Sequence, residues 1–176
     1  MKYFFRNTWW NKRKRPKIKT AFTVFDLIIE IIGLVALLAL WILLLVSYFD
    51  LPDVIPVHFD GLGQANAFGG KRSILFLPVI ATVLYAVMTI VNWFPHVFNF
   101  PVVITEENAF FQYSNMSRML RCLKLSLILI FGSIVFQTIR NAEGHTEGLG
   151  IWFLPFVLAI TIIPILFFTV KSFIYR

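Results

Sequence analysis

The residues of this chain best suited to chemistry stand between Asp50 and Lys71, in the run Leu51-Pro-Asp-Val-Ile-Pro-Val-His-Phe-Asp-Gly-Leu-Gly63. Pro52 and Pro56 fix two backbone angles, and Asp53 between them suits a turn. Gly61, Gly63, Gly69 and Gly70 permit tight turns and close backbone approach. His58 and Asp60 are two apart, so an extended strand places them on one face. A histidine among carboxylates is a donor set that can hold a divalent ion, yet spacings such as His-x-x-x-His are absent. Three readings follow. His58 hydrogen-bonds within a folded cap, or it meets an external ligand or peptide, or it joins His145, Glu143 and Glu147 around a metal. Lys71 and Arg72 are expected to anchor the following helix or to pair with the loop aspartates. The candidate ligand-binding residues are Pro52, Asp53, Pro56, His58, Asp60, Gly63 and Lys71, and no metal site is assigned.

A second constellation joins distant parts of the chain. Asp26 and Glu30 are four apart and share one face of a helix. With the first apolar segment centred near Leu38 and the third near Gly132, Glu30 and Lys124 each lie about 12 Å inward of their centres. Equal depth and opposite charge predict an ion pair between these two helices. Charges within a membrane are functional candidates by default, but these are shallow enough to snorkel, and no second carboxylate sits near a helix centre to support a proton relay.

Nothing in the chain reads as catalytic machinery. There is no G-x-S-x-G elbow, H-E-x-x-H pair, phosphate-binding loop or dinucleotide fingerprint. The single cysteine, Cys122, is expected at the opposite end of the molecule from His58 and cannot form an internal disulfide. We expect a protein that is not an enzyme and carries no cofactor.

The elements that must position these residues are set by hydropathy. Of the 176 residues, 59% are hydrophobic and 14% charged, against roughly 25% charged in soluble domains. Four apolar segments, about 26–48, 73–93, 123–139 and 149–170, approach the ~20 residues needed to cross a bilayer. Lipid offers the backbone no partner, and the oily runs do not alternate, so helices are expected rather than a barrel. The expected fold is an all-α integral membrane protein: a four-transmembrane-helix bundle over 26–172 with a folded extracytoplasmic loop (49–72) between the first two helices and an inner loop at 94–122. Basic residues set the orientation. Thirteen of the 16 Lys and Arg fall on the side of the two termini, leaving Lys71, Arg72 and Arg140 opposite. By the positive-inside rule both termini are cytoplasmic and the loop around His58 faces outward. The first segment is too long for a cleaved signal peptide and is expected to remain as an anchor.

Residues 1–25 form a basic, aromatic arm, with Tyr3, Phe4, Phe5, Trp9 and Trp10 ahead of the charges from Lys12 to Lys19. Rings at headgroup level and cations near anionic lipid make it a juxtamembrane element, and without a recognition fold it does not point to nucleic acid. In the inner loop, Asn99 to Ile104 should be extended ahead of Pro101's constraint, and Thr105 resembles a helix N-cap followed by Glu106 and Glu107. A helix from there to Ile139 has about 34 residues and is about 51 Å long. It either projects from the membrane or bends near Ser114 to Arg118. The projecting part could pack on the N-terminal arm or dock a cytoplasmic regulator. Pro78, Pro155 and Pro164 are candidate kinks.

The pattern Leu51-Pro52-Asp53-x-Ile55-Pro56-x-His58-Phe59, then Gly63, then Lys71, resembles the signature of a bacterial membrane domain of unknown function that also forms the N-terminal part of SdpI-type immunity and signalling proteins. The segment Asn99-Phe-Pro-Val-Val-Ile-Thr-Glu-Glu-Asn108 is similar to single-domain members. Gln64-Ala-Asn-Ala-Phe68 departs from the Asp- and Gly-rich wording usual before the lysine, and the further C-terminal spans of SdpI-type proteins are not matched here. The resemblance implies a bacterial cytoplasmic-membrane protein with a sensor, immunity or signalling role. Its expected partners are the lipid bilayer, an extracytoplasmic peptide or envelope component and a cytoplasmic regulator, with oligomerisation open. A small transporter or channel component and a metal-dependent membrane enzyme are the alternatives.

Overall fold

The first helix begins where Thr23 closes a capping box. The Thr23 hydroxyl accepts from the Asp26 amide, and the Asp26 carboxylate accepts from the Thr23 amide at 2.8 Å, which satisfies two otherwise orphaned donors. A computed structural model of the chain describes residues 15–176, so the part of the expected arm from Tyr3 to Lys14 lies outside the described residues. Helix α1 spans Val24–Ser47, α2 Phe76–Val91, α3 Ala109–Ala142 and α4 Phe153–Ile174. A hairpin of strands β1 (Val54–Phe59) and β2 (Ala65–Gly70) separates α1 from α2 and runs into α2 through a 3-10 turn at Lys71–Leu75. Among the described residues, four helical segments are long and apolar enough to cross a membrane. The protein is a multi-pass, all-α membrane protein with a small folded loop.

The buried positions of α1 are Asp26, Ile29, Gly33, Leu37, Leu40 and Leu44, a stripe at the spacing of one helix face. Leu37, Leu40 and Leu44 meet Ala81 of α2, Ile128, Val135 and Ile139 of α3, and Leu51, Ile55 and Ile74 from the hairpin region in one cluster. The remaining apolar faces are exposed, as a lipid-facing surface requires. Polar bonds tie the helices together. Trp41 Nε1 donates to Thr82 Oγ1 at 3.0 Å, and Ser126 Oγ donates to the Ile160 carbonyl at 2.7 Å. Such bonds contribute about 0.6 kcal/mol on average in a bilayer. Helix α4 packs along α3 and buries only Phe168 and Ser172.

Helix α3 is one unbroken rod of 34 residues, about 51 Å long and well beyond ~30 Å of hydrocarbon. The helix is not interrupted near Ser114 to Arg118. Its first turns pack on the end of α4: Gln112 Nε2 donates to the carbonyls of Ser172 and Tyr175, and Asn115 Nδ2 to that of Phe168. The regular helix starts at Ala109, one turn after Thr105. The reason lies in the preceding turn. Thr105 N donates to Asn108 Oδ1 at 2.9 Å and Asn108 N to Thr105 Oγ1 at 3.3 Å, closing it as a unit of its own. Pro78 and Pro155 fall in the first turns of α2 and α4, where an absent amide costs no helical bond. Only Pro164 stands inside its helix.

Candidate functional site

The hairpin is held at both ends. At its base, the Lys71 amide donates to the Asp53 carbonyl at 2.9 Å, and Lys71 Nζ donates to the Leu51 carbonyl at 3.1 Å. The same ammonium lies 3.5 Å from Asp53 Oδ1 and 5.8 Å from the centre of the Tyr48 ring. Lys71 thus closes the strand pair and fastens it to the end of α1. Leu51 and Ile55 are buried and carry the base of the hairpin into the core.

At the tip, Asp60 works within the chain. Its Oδ1 accepts from the amides of Leu62 and Gln64, both at 2.9 Å, while its own amide donates to the Gln64 carbonyl. The expectation that Asp60 shares a strand face with His58 is therefore corrected: β1 ends at Phe59 and Asp60 belongs to the turn. Register shifts on either side of His58 also break the two-residue alternation on which that expectation rested. The Gly63 carbonyl accepts from the Leu149 amide at 2.6 Å, which joins the tip to the α3–α4 connection. Both Gly63 and Gly148 have φ of +79°, and a Cβ on Gly148 would lie 2.1 Å from the Gly63 oxygen. Asn141 secures the other side of that connection. Its amide nitrogen donates to the Gly148 carbonyl at 2.7 Å, and its amide oxygen accepts from the Gly148 N–H.

Between these clamps the hairpin displays His58. The ring is exposed, and Nδ1 lies 2.5 Å from Asn66 Oδ1 on the opposite strand. An amide oxygen only accepts, so with Asn66 in this orientation Nδ1 carries the proton and donates. Val57, Leu62 and Phe68 are exposed on the same hairpin. Of the candidate residues, Asp53 and Lys71 come together, as do Asp60 and Gly63 within the turn, where the Gly63 amide donates to the Asp60 carbonyl at 2.9 Å. Pro56 is buried and Pro52 exposed. His145 pairs with Glu143 at 3.1 Å, and among the described residues no three His, Cys, Asp or Glu side chains gather where a metal could sit.

The opposite end of the bundle holds a chain of charges. Asp26 is buried and accepts from the Thr23 hydroxyl at 2.7 Å, with Arg118 Nε at 3.4 Å and Arg121 at 3.1 Å from its Oδ1. Glu30 receives Lys124 Nζ at 2.6 Å and lies 3.2 Å from Arg121 Nε, an ionic contact whose angle falls short of a hydrogen bond. Lys124 is buried, donates to Thr89 Oγ1 at 2.9 Å and sits 4.3 Å from the centre of the Tyr85 ring. The structure thus brings Glu30 and Lys124 together, keeps Asp26 on the same face of α1 as its spacing implied, and adds Arg118, Arg121, Thr89 and Tyr85, which the sequence reading had not joined to them. The signal was present: Arg118, Arg121 and Lys124 recur at three-residue spacing, opposite acids four apart. Beside this network Arg15 donates to the carbonyls of His96 and Phe98 and stacks over the Phe100 ring, pinning the α2–α3 connection.

Residues 35–82 match the model of a domain of unknown function, DUF1648. The matched stretch runs from α1 through the whole hairpin into α2, so it contains all of the clamp at the hairpin base, the Gly63 side of the clamp at its tip, and none of the charge network. An uncharacterized protein of Archaeoglobus fulgidus is 30% identical over 78 residues, which cover 40% of this chain and 43% of that relative. The similarity therefore spans less than half the length of either protein. No solved structure matches. A membrane domain of unknown function, built on two helices and the hairpin between them, is what these similarities support.

Proposed function

We propose that this chain is a non-enzymatic sensor or immunity protein of a bacterial cytoplasmic membrane, similar in role to SdpI-type proteins. Both termini lie in the cytoplasm and the hairpin faces outward. The imbalance of Lys and Arg between the two ends supports that orientation. The hairpin contacts an extracytoplasmic peptide or envelope component, and the projecting end of α3 with the end of α4 offers a regulator its contact in the cytoplasm.

One observation carries the reading. A hairpin fastened through Lys71 at its base and Gly63 at its tip leaves an exposed polar pair, His58 and Asn66, among exposed Val57, Leu62 and Phe68. A membrane-active peptide is amphipathic and needs such a mixed surface, and a preorganised surface binds without the cost of ordering itself. The test is deletion of the gene followed by challenge with membrane-active peptides. Sensitivity should rise in the deletion strain and be restored by the intact protein. The His58→Ala variant should reach the membrane at normal levels, since the ring is exposed, and restore little. Unchanged sensitivity across a peptide panel would remove the proposal.

A further inference from the structure

The hairpin stands on one of its strands. Ile55 and Pro56 are successive in β1, so they point to opposite faces of the sheet, and both are buried, with β1 packed on α3. Ala67 and Phe68 are successive in β2, and both are exposed. β1 is therefore covered on both faces and β2 on neither, and the free edge of β2 is directed away from the bundle.

That edge presents backbone groups at known positions. The Lys71 amide donates to the Asp53 carbonyl, and Val54 lies opposite Gly70, so Asp53 and Lys71 form a hydrogen-bonded pair of the antiparallel ladder. Such pairs alternate with pairs whose N–H and C=O point outward. Ile55 and Gly69 are the next bonded pair, and Gly70 and Phe68 face the open edge. Pro56 lies opposite Phe68, at an outward position where its missing amide costs the ladder nothing. The Gly70 carbonyl accepts from Ser73 Oγ at 2.8 Å, which leaves the Gly70 N–H and the Phe68 N–H and C=O for a partner. Register shifts at His58 confine the regular edge to residues 67–70.

Edge strands are normally blunted by charge or proline, and Ala67-Phe-Gly-Gly70 has neither. What such an edge recognises is another extended backbone. A second copy of this chain does not fit. Two copies inserted alike in one membrane are related by an axis along its normal, and two edges directed away from their bundles toward the same side do not meet. The side chains add a preference. On one face the exposed Phe68 ring lies beside the edge. On the other, a Cβ on Gly69 would lie 3.1 Å from Val57 Cγ1, so Val57 lies over Gly69 and no side chain stands between it and an added strand.

We infer that the free edge of β2 binds an extended peptide by strand addition, through the Phe68 N–H and C=O and the Gly70 N–H, with two adjacent apolar residues of the peptide against Phe68 and Val57. The inference rests on the reading of the hairpin as a contact for an extracytoplasmic peptide and supplies its mode of binding.

Random dodecapeptides displayed on phage should be selected on the full chain in nanodiscs, and the recovered peptides synthesised for affinity measurement. They are expected to share two adjacent apolar residues. N-methylation of alternate amides through that stretch should abolish binding, while N-methylation of the intervening ones is tolerated. Gly70→Pro removes one outward amide where φ is already −64° and ψ 141°, angles that proline adopts, and nothing lies within 4 Å of an added Cβ. It should fold as the parent does and weaken binding roughly tenfold, while Gly70→Ala, which keeps the amide, should lose far less. The N-methyl scan reads the same contact without altering the protein. Equal losses in the two variants, N-methylation tolerated at every position, or a selection that yields no binder would each overturn the inference. The result is separable from that of the deletion strain. Peptides that bind this edge while sensitivity is unchanged would keep the site and remove the protective role, and protection by a protein whose binders ignore Gly70→Pro would do the reverse.

Discussion

Gly148 stands against Gly63 so closely that a Cβ on the former would lie 2.1 Å from the carbonyl oxygen of the latter. The contact couples the loop after α3 to the tip of the hairpin after α1, through the 2.6 Å bond from Leu149 N to Gly63 O. Gly148→Ala cannot be accommodated by a side-chain adjustment, because the obstruction is backbone and φ is +79°. The left-handed conformation alone costs about 1–2 kcal/mol for a residue with a Cβ, and the displaced bond adds to this. We expect Gly148→Ala to lower the thermal midpoint in detergent and to raise hydrogen exchange at Leu149 and around Gly63, with helix content unchanged. Unaltered exchange at those amides would show that the two loops are not coupled.

The charge network makes a different kind of prediction. Removing one partner of a buried ion pair costs about 3–5 kcal/mol, because the other is left unpaired, whereas replacing both is often neutral. Asp26 serves the helix cap as well as Arg118 and Arg121, so Asp26→Ala should destabilise more than Glu30→Ala, whose carboxylate is 23% exposed. For Glu30 and Lys124, a double-mutant cycle built on Glu30→Gln and Lys124→Met should return a coupling of about 1–3 kcal/mol, read from unfolding in mixed micelles. Additive effects would mean that the 2.6 Å contact adds nothing to stability.

How far the chain could be read from its residues differed from element to element, for physical reasons. A continuous apolar run of bilayer length has one stable outcome in lipid, so α1 and α2 were legible to within a few residues. Glu30 and Lys124 were legible as partners because helical rise converts sequence position into depth. Arg118 and Arg121 were not, since a cation at a helix end reads equally well as a topology signal, and only the packed geometry turns them toward Asp26. The strands were hidden for another reason. Val54–Phe59 is interrupted by Pro56, which argues against a strand despite its Val, Ile and Phe, and Ala65–Gly70 contains two glycines and two alanines, which have little strand preference. Their pairing rests on tertiary fasteners that no local pattern encodes: Lys71 on Leu51 and Asp53, Leu149 on Gly63, and Asn141 on Gly148.

At the base of the hairpin, the two partners of one ion pair should behave unequally. The Asp53 side chain is 96% exposed, and exposed pairs contribute about 0–1 kcal/mol, so Asp53→Ala should be close to neutral. Lys71 also bonds the Leu51 carbonyl and lies against the Tyr48 ring. Lys71→Ala is expected to cost about 1–2 kcal/mol more than Asp53→Ala, since it leaves a carbonyl beside buried Leu51 without its donor. Equilibrium unfolding of the two variants in the same detergent would check this. Equal effects would mean that the lysine acts only through the aspartate.

Orientation is open to a direct chemical test, and the single native cysteine makes it simple. In a Cys122→Ser background, Leu62→Cys places a thiol at the hairpin tip, where Leu62 is 80% exposed. A second variant, Lys19→Cys, places one beside the start of α1. If the excess of Lys and Arg directs insertion, a membrane-impermeant maleimide added to intact spheroplasts should label Leu62→Cys, while Lys19→Cys should react only after lysis. The charges are lopsided enough, with three basic residues on the hairpin side against thirteen, that a mixed population is not expected. Labelling of Lys19→Cys in intact spheroplasts would invert the topology. It would put the hairpin in the cytoplasm, where a secreted peptide could not reach it, and the proposed role would fall with it.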